Sequence, residues 1–299
     1  MSSPDLEEDM RMEIGSARAA LWWSHVPPMD DELLGVIGQF CAESENDAAA
    51  LLSRACEELR ARGCTLAVGP MDGNTWRRYR FVTEPGEEPP FLMEPSNPKE
   101  WPQWWRNFGF ESLAEYFSSA TDDLTMRDPR VDKVAARLTK DGVTIRPLDP
   151  ARFEDELAMI FEVSLASFTE NFLYTPLPRE AFLGQYFAIK DRVRPELVLL
   201  AEQDRRPVGY VFALPDYAQA QRGVPVTTVI VKTLAVLPGR RHAGLGAWLL
   251  AEVHAAAQRL GFARAIHALM HETNKSRNLS AHYAKTIRRY TLFSKRIAP

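Results

Sequence analysis

The residues with the most chemical promise are Val229-Ile230-Val231-Lys232-Thr233-Leu234-Ala235-Val236-Leu237-Pro238-Gly239-Arg240-Arg241-His242-Ala243-Gly244-Leu245-Gly246. A strand-like apolar run is broken at Pro238-Gly239 and passes through a glycine-containing turn into an amphipathic helical pattern. Backbone N–H groups at such a turn and helix start can converge on a pyrophosphate, because the first helical amides have no intrahelical acceptor. Gly244 and Gly246 add no side-chain bulk there, and Arg241 adds positive charge. The same residues also fit a plain helix start whose glycines only permit close packing.

Two phosphate-binding alternatives fail on the residues. The Gly-Lys-Ser/Thr ending of a Walker loop is absent, and Gly-x-Gly-x-x-Gly is not reproduced. Arg241-His242-Ala243-Gly244-Leu245-Gly246 instead resembles the Arg/Gln-x-x-Gly-x-Gly/Ala coenzyme A loop of the GCN5-related N-acetyltransferase (GNAT) superfamily, and the resemblance extends over the second half of the chain. It implies an α/β fold of the α+β mixed-sheet kind and an N-acetyltransferase that moves an acetyl group from acetyl-CoA to an amine by direct attack. By that resemblance, the backbone of Leu234, Ala235 and Val236 holds the pantetheine arm, and the loop amides of Arg241, His242, Ala243, Gly244, Leu245 and Gly246 hold the pyrophosphate. Asn278-Leu279-Ser280-Ala281-His282-Tyr283 is similar to the superfamily's later asparagine and tyrosine positions. Asn278 is then a cofactor contact, and Tyr283 a general acid for the departing thiolate. An ordinary surface Asn and a packed Tyr are the plainer reading of the same two residues.

The amine must lose a proton. Glu272 is one candidate base and Glu170 another, with a water relay as the third route. The superfamily often carries an acidic residue on its central strand, whereas Lys232-Thr233 stands there in this chain. His242, His254, His267, His271 and His282 lack a convincing set of Cys, Asp or Glu partners, so no metal is expected.

Elements to position these groups are legible. Before the loop, Glu196 to Ala201, Val208 to Leu214 and Thr228 to Val236 read as strands, the first two joined as a hairpin across Gln203 to Arg206. After it, Leu249, Leu250, Val253, Ala256, Ala257 and Leu260 line one helix face, and Phe262 to Met270 reads as a strand. Val143 to Pro147 reads as a first strand of this half, and Phe153 to Phe168 and Arg179 to Ile189 as helices. The linker carrying Phe172 and Tyr174 is a candidate cleft wall.

The first half has a similar order. Its opening dozen residues read as a solvated tail, followed by strands at Ala17 to Val26 and Leu33 to Phe40. A helix capped by Asp47 runs to Arg62 and feeds a strand at Cys64 to Val68. Leu51-Leu52 through Arg62-Gly63 aligns at constant offset with Leu249-Leu250 through Leu260-Gly261. Where the second half has its basic loop, the first has Glu43-Ser44-Glu45-Asn46-Asp47, whose carboxylates repel a pyrophosphate. Two tandem domains are expected: residues 1–140, a diverged GNAT-like domain without the coenzyme A loop, and residues 141–299, the acetyltransferase domain. The charged stretch Thr121 to Asp141 is the expected junction. Trp22, Trp23, Trp76, Trp101, Trp104 and Trp105 make the first half aromatic, as core or as part of an acceptor cleft.

Composition narrows the partners. With 36 basic and 40 acidic side chains the formal charge is −4, which offers no broad cationic face, so nucleic acid is not expected. No apolar run reaches the roughly 18 residues of a membrane span. Three cysteines without ligand spacing and an acidic start suit the cytoplasm. A small-molecule amine is favoured over a protein amine as acceptor, and a homodimer is possible. Two other readings compete with the enzyme: a non-catalytic acyl-CoA-binding or sensing protein, and a structural, partner-binding tandem domain.

Overall fold

The computed structural model describes residues 7–273 and 282–297. In chain order the strands are β1 (Met10–Ile14), β2 (Ala17–Trp22), β3 (Leu34–Cys41), β4 (Leu66–Gly69), β5 (Phe81–Glu84), β6 (Glu111–Thr121), β7 (Val143–Pro147), β8 (Val198–Gln203), β9 (Arg206–Pro215), β10 (Thr228–Val236), β11 (Arg264–His271) and β12 (Lys285–Arg296). The helices are α1 (Glu45–Ala61), α2 (Trp101–Asn107), α3 (Val131–Lys140), α4 (Phe153–Phe168), α5 (Arg179–Phe187), α6 (Tyr217–Gln221) and α7 (Leu245–Arg259).

All the strands belong to one mixed sheet in the order β1-β2-β3-β4-β12-β6-β11-β10-β9-β8-β7, with β5 joined to β12. Only β3 with β4 and β10 with β11 are parallel. A parallel pair needs a crossover, and α1 and α7 supply the two crossovers. The expected mixed α/β architecture with a central sheet flanked by helices is therefore present.

Both crossover helices lie on one face of the sheet. Leu51, Leu52, Ala55 and Leu59 of α1 pack with Ile37, Trp105 and Phe293, and Leu249, Val253 and Ala257 of α7 pack with Val211, Val229 and Val231. On the opposite face Leu157, Ile160 and Phe182 of α4 and α5 meet Leu200, Tyr210, Phe212 and Ile230. Strand alternation sends Val229 and Val231 to one side and Ile230 to the other.

Several expectations change. Residues 10–14 form β1 rather than a solvated tail, because Met10 to Ile14 pair with Ala17 to Leu21 and Met10, Met12 and Ile14 cover the α1 core. Ser44, not Asp47, caps α1: its side chain accepts from the Asp47 amide, while the Asp47 carboxylate accepts from Ser16. The charged stretch before residue 141 contains a helix, α3, which packs on α7. Arg288-Arg289-Tyr290 and Lys295-Arg296 belong to β12, inside the sheet, and Arg288 is buried against Glu94.

The last strands of the two halves cross over. β12 pairs with β4 of the first half, β6 pairs with β11 of the second, and β6 and β12 pair with each other. Hydrogen-bond ladders therefore run unbroken across the position near residue 140.

Candidate functional site

The crevice begins where β10 and β11 stop pairing. Their parallel register runs from Thr228↔Arg264 to Val231↔His267 and then ends. Beyond it β10 stays bonded to β9 through Leu234↔Val211, Ala235↔Tyr210 and Val236↔Gly209. One edge of β10 is thus left without a strand partner among the described residues. The register of β10 on β9 shifts between Val231 and Thr233, a bulge that sets Lys232 apart at the mouth of the opening. On the other lip, the register of β11 on β6 shifts between His267 and Met270, where Leu269 has φ +62° and its amide donates to Ser118 Oγ.

β10 leads into the loop. Gly239 has φ +124°, residues 240–242 make a single tight helical turn, and Gly244 caps α7 at φ +88°. Left-handed backbone there favours glycine. A Cβ on Gly244 would sit 2.8 Å from Val134 Cγ1, so the small residue also lets α3 approach. From α3, Arg137 donates to the carbonyl oxygens of Arg241 and Ala243, at 3.3 and 2.5 Å.

No side chain caps α7, its first turn holds no acid, and Arg240, Arg241 and His242 precede it. Its first amides are the unsatisfied donors of a helix start, in a positive field. The contrast with α1 is direct: there Ser44 takes an amide and Glu45 and Asp47 lie in the first turn. The crevice between β3 and β4 is also bridged, by Met71 N donating to Ile37 O at 2.9 Å and Gln39 N to Asp72 Oδ1 at 2.6 Å.

The expected site residues fall as follows. Leu234, Ala235 and Val236 form the free-edged end of β10, and Arg241 to Gly246 form the loop and the start of α7. The His242 ring folds inward, Nε2 lying 3.3 Å from Gln203 Oε1, and its pKa is lowered by burial and by Arg241. Asn278 lies outside the described residues. Tyr283 is half-buried, its ring edge-on to His254 and His267 at 6.3 and 6.4 Å between centroids, beside the last paired residue of β11. Burial pushes the Tyr283 phenol up to about 12, so it stays a proton donor at neutral pH.

Glu272 is on the β11 side of the crevice, but its carboxylate pairs with Arg289 at 2.5 Å. Glu170 is exposed beyond the end of α4. Among the described residues no three or more Cys, His, Asp or Glu side chains converge on a metal position. His254 and His267 do meet, Nε2 to Nε2 at 3.0 Å, and both are kept neutral: burial lowers them to about 4 and about 3.

Three side chains meet around the crevice mouth, of which Arg80 and Glu94 carried no sequence signal. Arg80 comes from the loop before β5 and lies over the Tyr79 and Tyr116 rings at 4.0 and 4.2 Å. Glu94 is buried by Arg288, at 2.7 Å, and by the Tyr290 hydroxyl that donates to it. The Lys232 ammonium lies 3.5 Å from Met93 O, and burial, then the Arg80 charge, lowers it to about 8.

Comparisons with known proteins agree with this arrangement. Residues 157–284 match the model of the acetyltransferase (GNAT) family. A protein of Caulobacter vibrioides named bacterial ceramide synthase is 25% identical over 194 residues, which cover 64% of this chain and 50% of that protein. Protein YghO of Escherichia coli is 26% identical over 177 residues, 58% of this chain and 44% of its own length. The chain thus spans about half the length of the curated relatives it matches. A tandem GNAT protein from the clavulanic acid biosynthesis pathway shares the fold, with TM-score 0.54 and 15% identity, covering 95% of this chain and 79% of that one. Residues 157–284, which hold β10, the loop and α7, therefore match the acetyltransferase (GNAT) family.

Proposed function

We propose that the chain is an acyl-CoA-dependent N-acyltransferase, with acetyl-CoA as donor and a small-molecule amine as acceptor. The observation that carries the reading is the uncapped, basic start of α7 at the end of a strand whose edge faces an open crevice. Amides of residues 241–246, apart from Ala243, whose amide donates to Arg240 O, would take the pyrophosphate, and the edge of β10 at Leu234 to Val236 would pair with the pantetheine amides. The first half, its corresponding crevice bridged by Met71 and Asp72 and its α1 start capped, takes no coenzyme in this reading and instead walls the acceptor side.

The chemistry needs few groups. The amine nitrogen attacks the thioester carbonyl carbon, an N–C bond forms, and the C–S bond breaks. A backbone N–H on the free edge of β10 stabilises the developing oxyanion, and holding amine and thioester together lowers the entropic part of the barrier. Tyr283 gives its proton to the departing sulfur. The amine's proton leaves through water, because Glu272 is already engaged by Arg289 and Glu170 is exposed beyond the end of α4.

Calorimetric titration with acetyl-CoA and desulfo-CoA, then thiol release with a panel of primary amines, tests this. Saturable binding that is lost in Gly244→Asp/Gly246→Asp, followed by amine-dependent thiol release, is the expected result. Binding without release from any amine would leave an acyl-CoA sensor. No binding by the folded protein would overturn the assignment. A longer-chain acyl-CoA belongs in the donor panel, since one relative is named a ceramide synthase.

A further inference from the structure

A buried guanidinium stands unpaired beside the crevice. Arg80 is 6% exposed, yet its Nε and Nη1 have no hydrogen-bond partner, and among the described residues no carboxylate forms an ion pair with it. Burying a charge without a counterion is costly, so such a residue is retained against its own desolvation. It is also held in place: its backbone has φ +64°, its amide donates to Pro70 O, and its guanidinium lies over the Tyr79 and Tyr116 rings. The two rings stand at 86° to each other with centroids 5.6 Å apart, so they flank the guanidinium from adjacent sides.

The surroundings add positive charge. The Arg80 guanidinium lies 5.8 Å from the Tyr290 ring, whose hydroxyl donates to Glu94, the neighbour of the Met93 whose carbonyl holds the Lys232 ammonium at 3.5 Å, and the Arg80 charge disfavours the protonated forms of Lys232 and His271. His271 stands edge-on to Tyr116 at 4.8 Å and near Phe172 at 5.8 Å, so the residues belong to one cluster. Glu94, the one carboxylate that acts on Lys232, is already held by Arg288 and Tyr290. Lys232 sits on the β10 bulge where the acyl carbonyl would lie if residues 234–236 hold the pantetheine arm.

We infer that Arg80 and Lys232 form an oxyanion subsite for the acceptor, which is therefore an amine carrying a carboxylate or phosphate group. The inference rests on the acyltransferase reading for its position beside the donor, but the anion site itself does not. A planar guanidinium fork suits the two oxygens of either group. Filling it would remove the uncompensated charge and set the amine at a fixed distance from the thioester.

Two measurements separate the claims. In the first, the Arg80 Nε–H resonance of ¹⁵N-labelled protein, assigned by its loss in Arg80→Lys, is titrated with acetate and with inorganic phosphate. A saturable shift with either is expected, and the responsive ion names the class. No response of this resonance to either ion overturns the subsite. In the second, kcat/KM is compared for glycine against glycinamide and for 2-aminoethyl phosphate against ethanolamine, in wild type, Arg80→Met and Lys232→Met. The anionic member of one pair should lead by tenfold or more in wild type, and the ratio should fall to within about threefold in both variants. Equal use of charged and neutral amines, or a preference that survives both substitutions, overturns the acceptor class. An anion response without acyl transfer from any amine leaves the subsite standing and overturns the enzymatic reading instead.

Discussion

Gly244→Ala is the substitution whose cost the structure separates most cleanly. The residue sits at φ +88°, where a Cβ carries a penalty of about 1–2 kcal/mol. The new methyl would also lie 2.8 and 2.9 Å from the two Val134 methyls, and overpacking of this kind costs about 1–3 kcal/mol. A loss of roughly 2–5 kcal/mol in urea unfolding is the expected sum. Gly142→Ala isolates the first part, since Gly142 has φ +84° and nothing within 4 Å of its Cβ position. Val134→Ala, combined with Gly244→Ala in a double-mutant cycle, removes the second part. Because the relief available is α3 backing away or the loop twisting, acetyl-CoA affinity should weaken tenfold or more, which is about 1.4 kcal/mol, and Val134→Ala should restore part of it. If Gly244→Ala costs no more than Gly142→Ala, or if the cycle shows no coupling to Val134, the account of how α3 supports the loop is wrong.

Tyr283→Phe should lower kcat by about 10²-fold with little change in KM for the acyl donor. Because its phenol is pushed up to about 12, the wild-type rate should not fall with loss of this proton anywhere below pH 10, and an alkaline limb near pH 9 removed by the substitution would contradict the assignment. Lys232→Met should stabilise the fold at pH 7 by roughly 1–3 kcal/mol while weakening use of an anionic acceptor. The folded lysine titrates at about 8, below its ordinary 10.5, so protonation costs stability at low pH. That penalty fades as pH rises from 8 to 10.5, and a stability difference that does not shrink over that range refutes it. His254 and His267, kept neutral down to about 4 and about 3, make the fold lose stability as pH falls from 6.5, where the unfolded chain binds protons first. The slope of unfolding free energy against pH between 6.5 and 4 should be smaller in His254→Gln, measured by urea titration at each pH.

Much of the donor side could be read along the chain because its parts are consecutive. The strand, turn and helix from Thr228 to Arg259 are written in order, and the work proposed for them falls to main-chain amides and to glycines whose absence of a side chain is itself the signal. The Glu43 to Asp47 run told its own story for the same reason: it fills locally the helix start that α7 leaves open. The acceptor side had no such signature. Arg80 is one arginine among many until the fold lays it over Tyr116, 36 positions away in the chain, because β5 pairs with β12 and β12 with β6. The exchange of those final strands escaped the sequence because strand pairing is non-local: an apolar, alternating run states which face is buried but not which neighbour supplies the hydrogen bonds. Lys232 reads the same way. Lys232-Thr233 could be noted where the superfamily often has an acidic residue, but the depressed ammonium depends on burial and on Arg80 and Glu94, which come from segments on either side of β5 in the other half. Consecutive main-chain chemistry was determined by the sequence, whereas buried charge, which depends on what distant segments bring near, was decided by the tertiary structure alone.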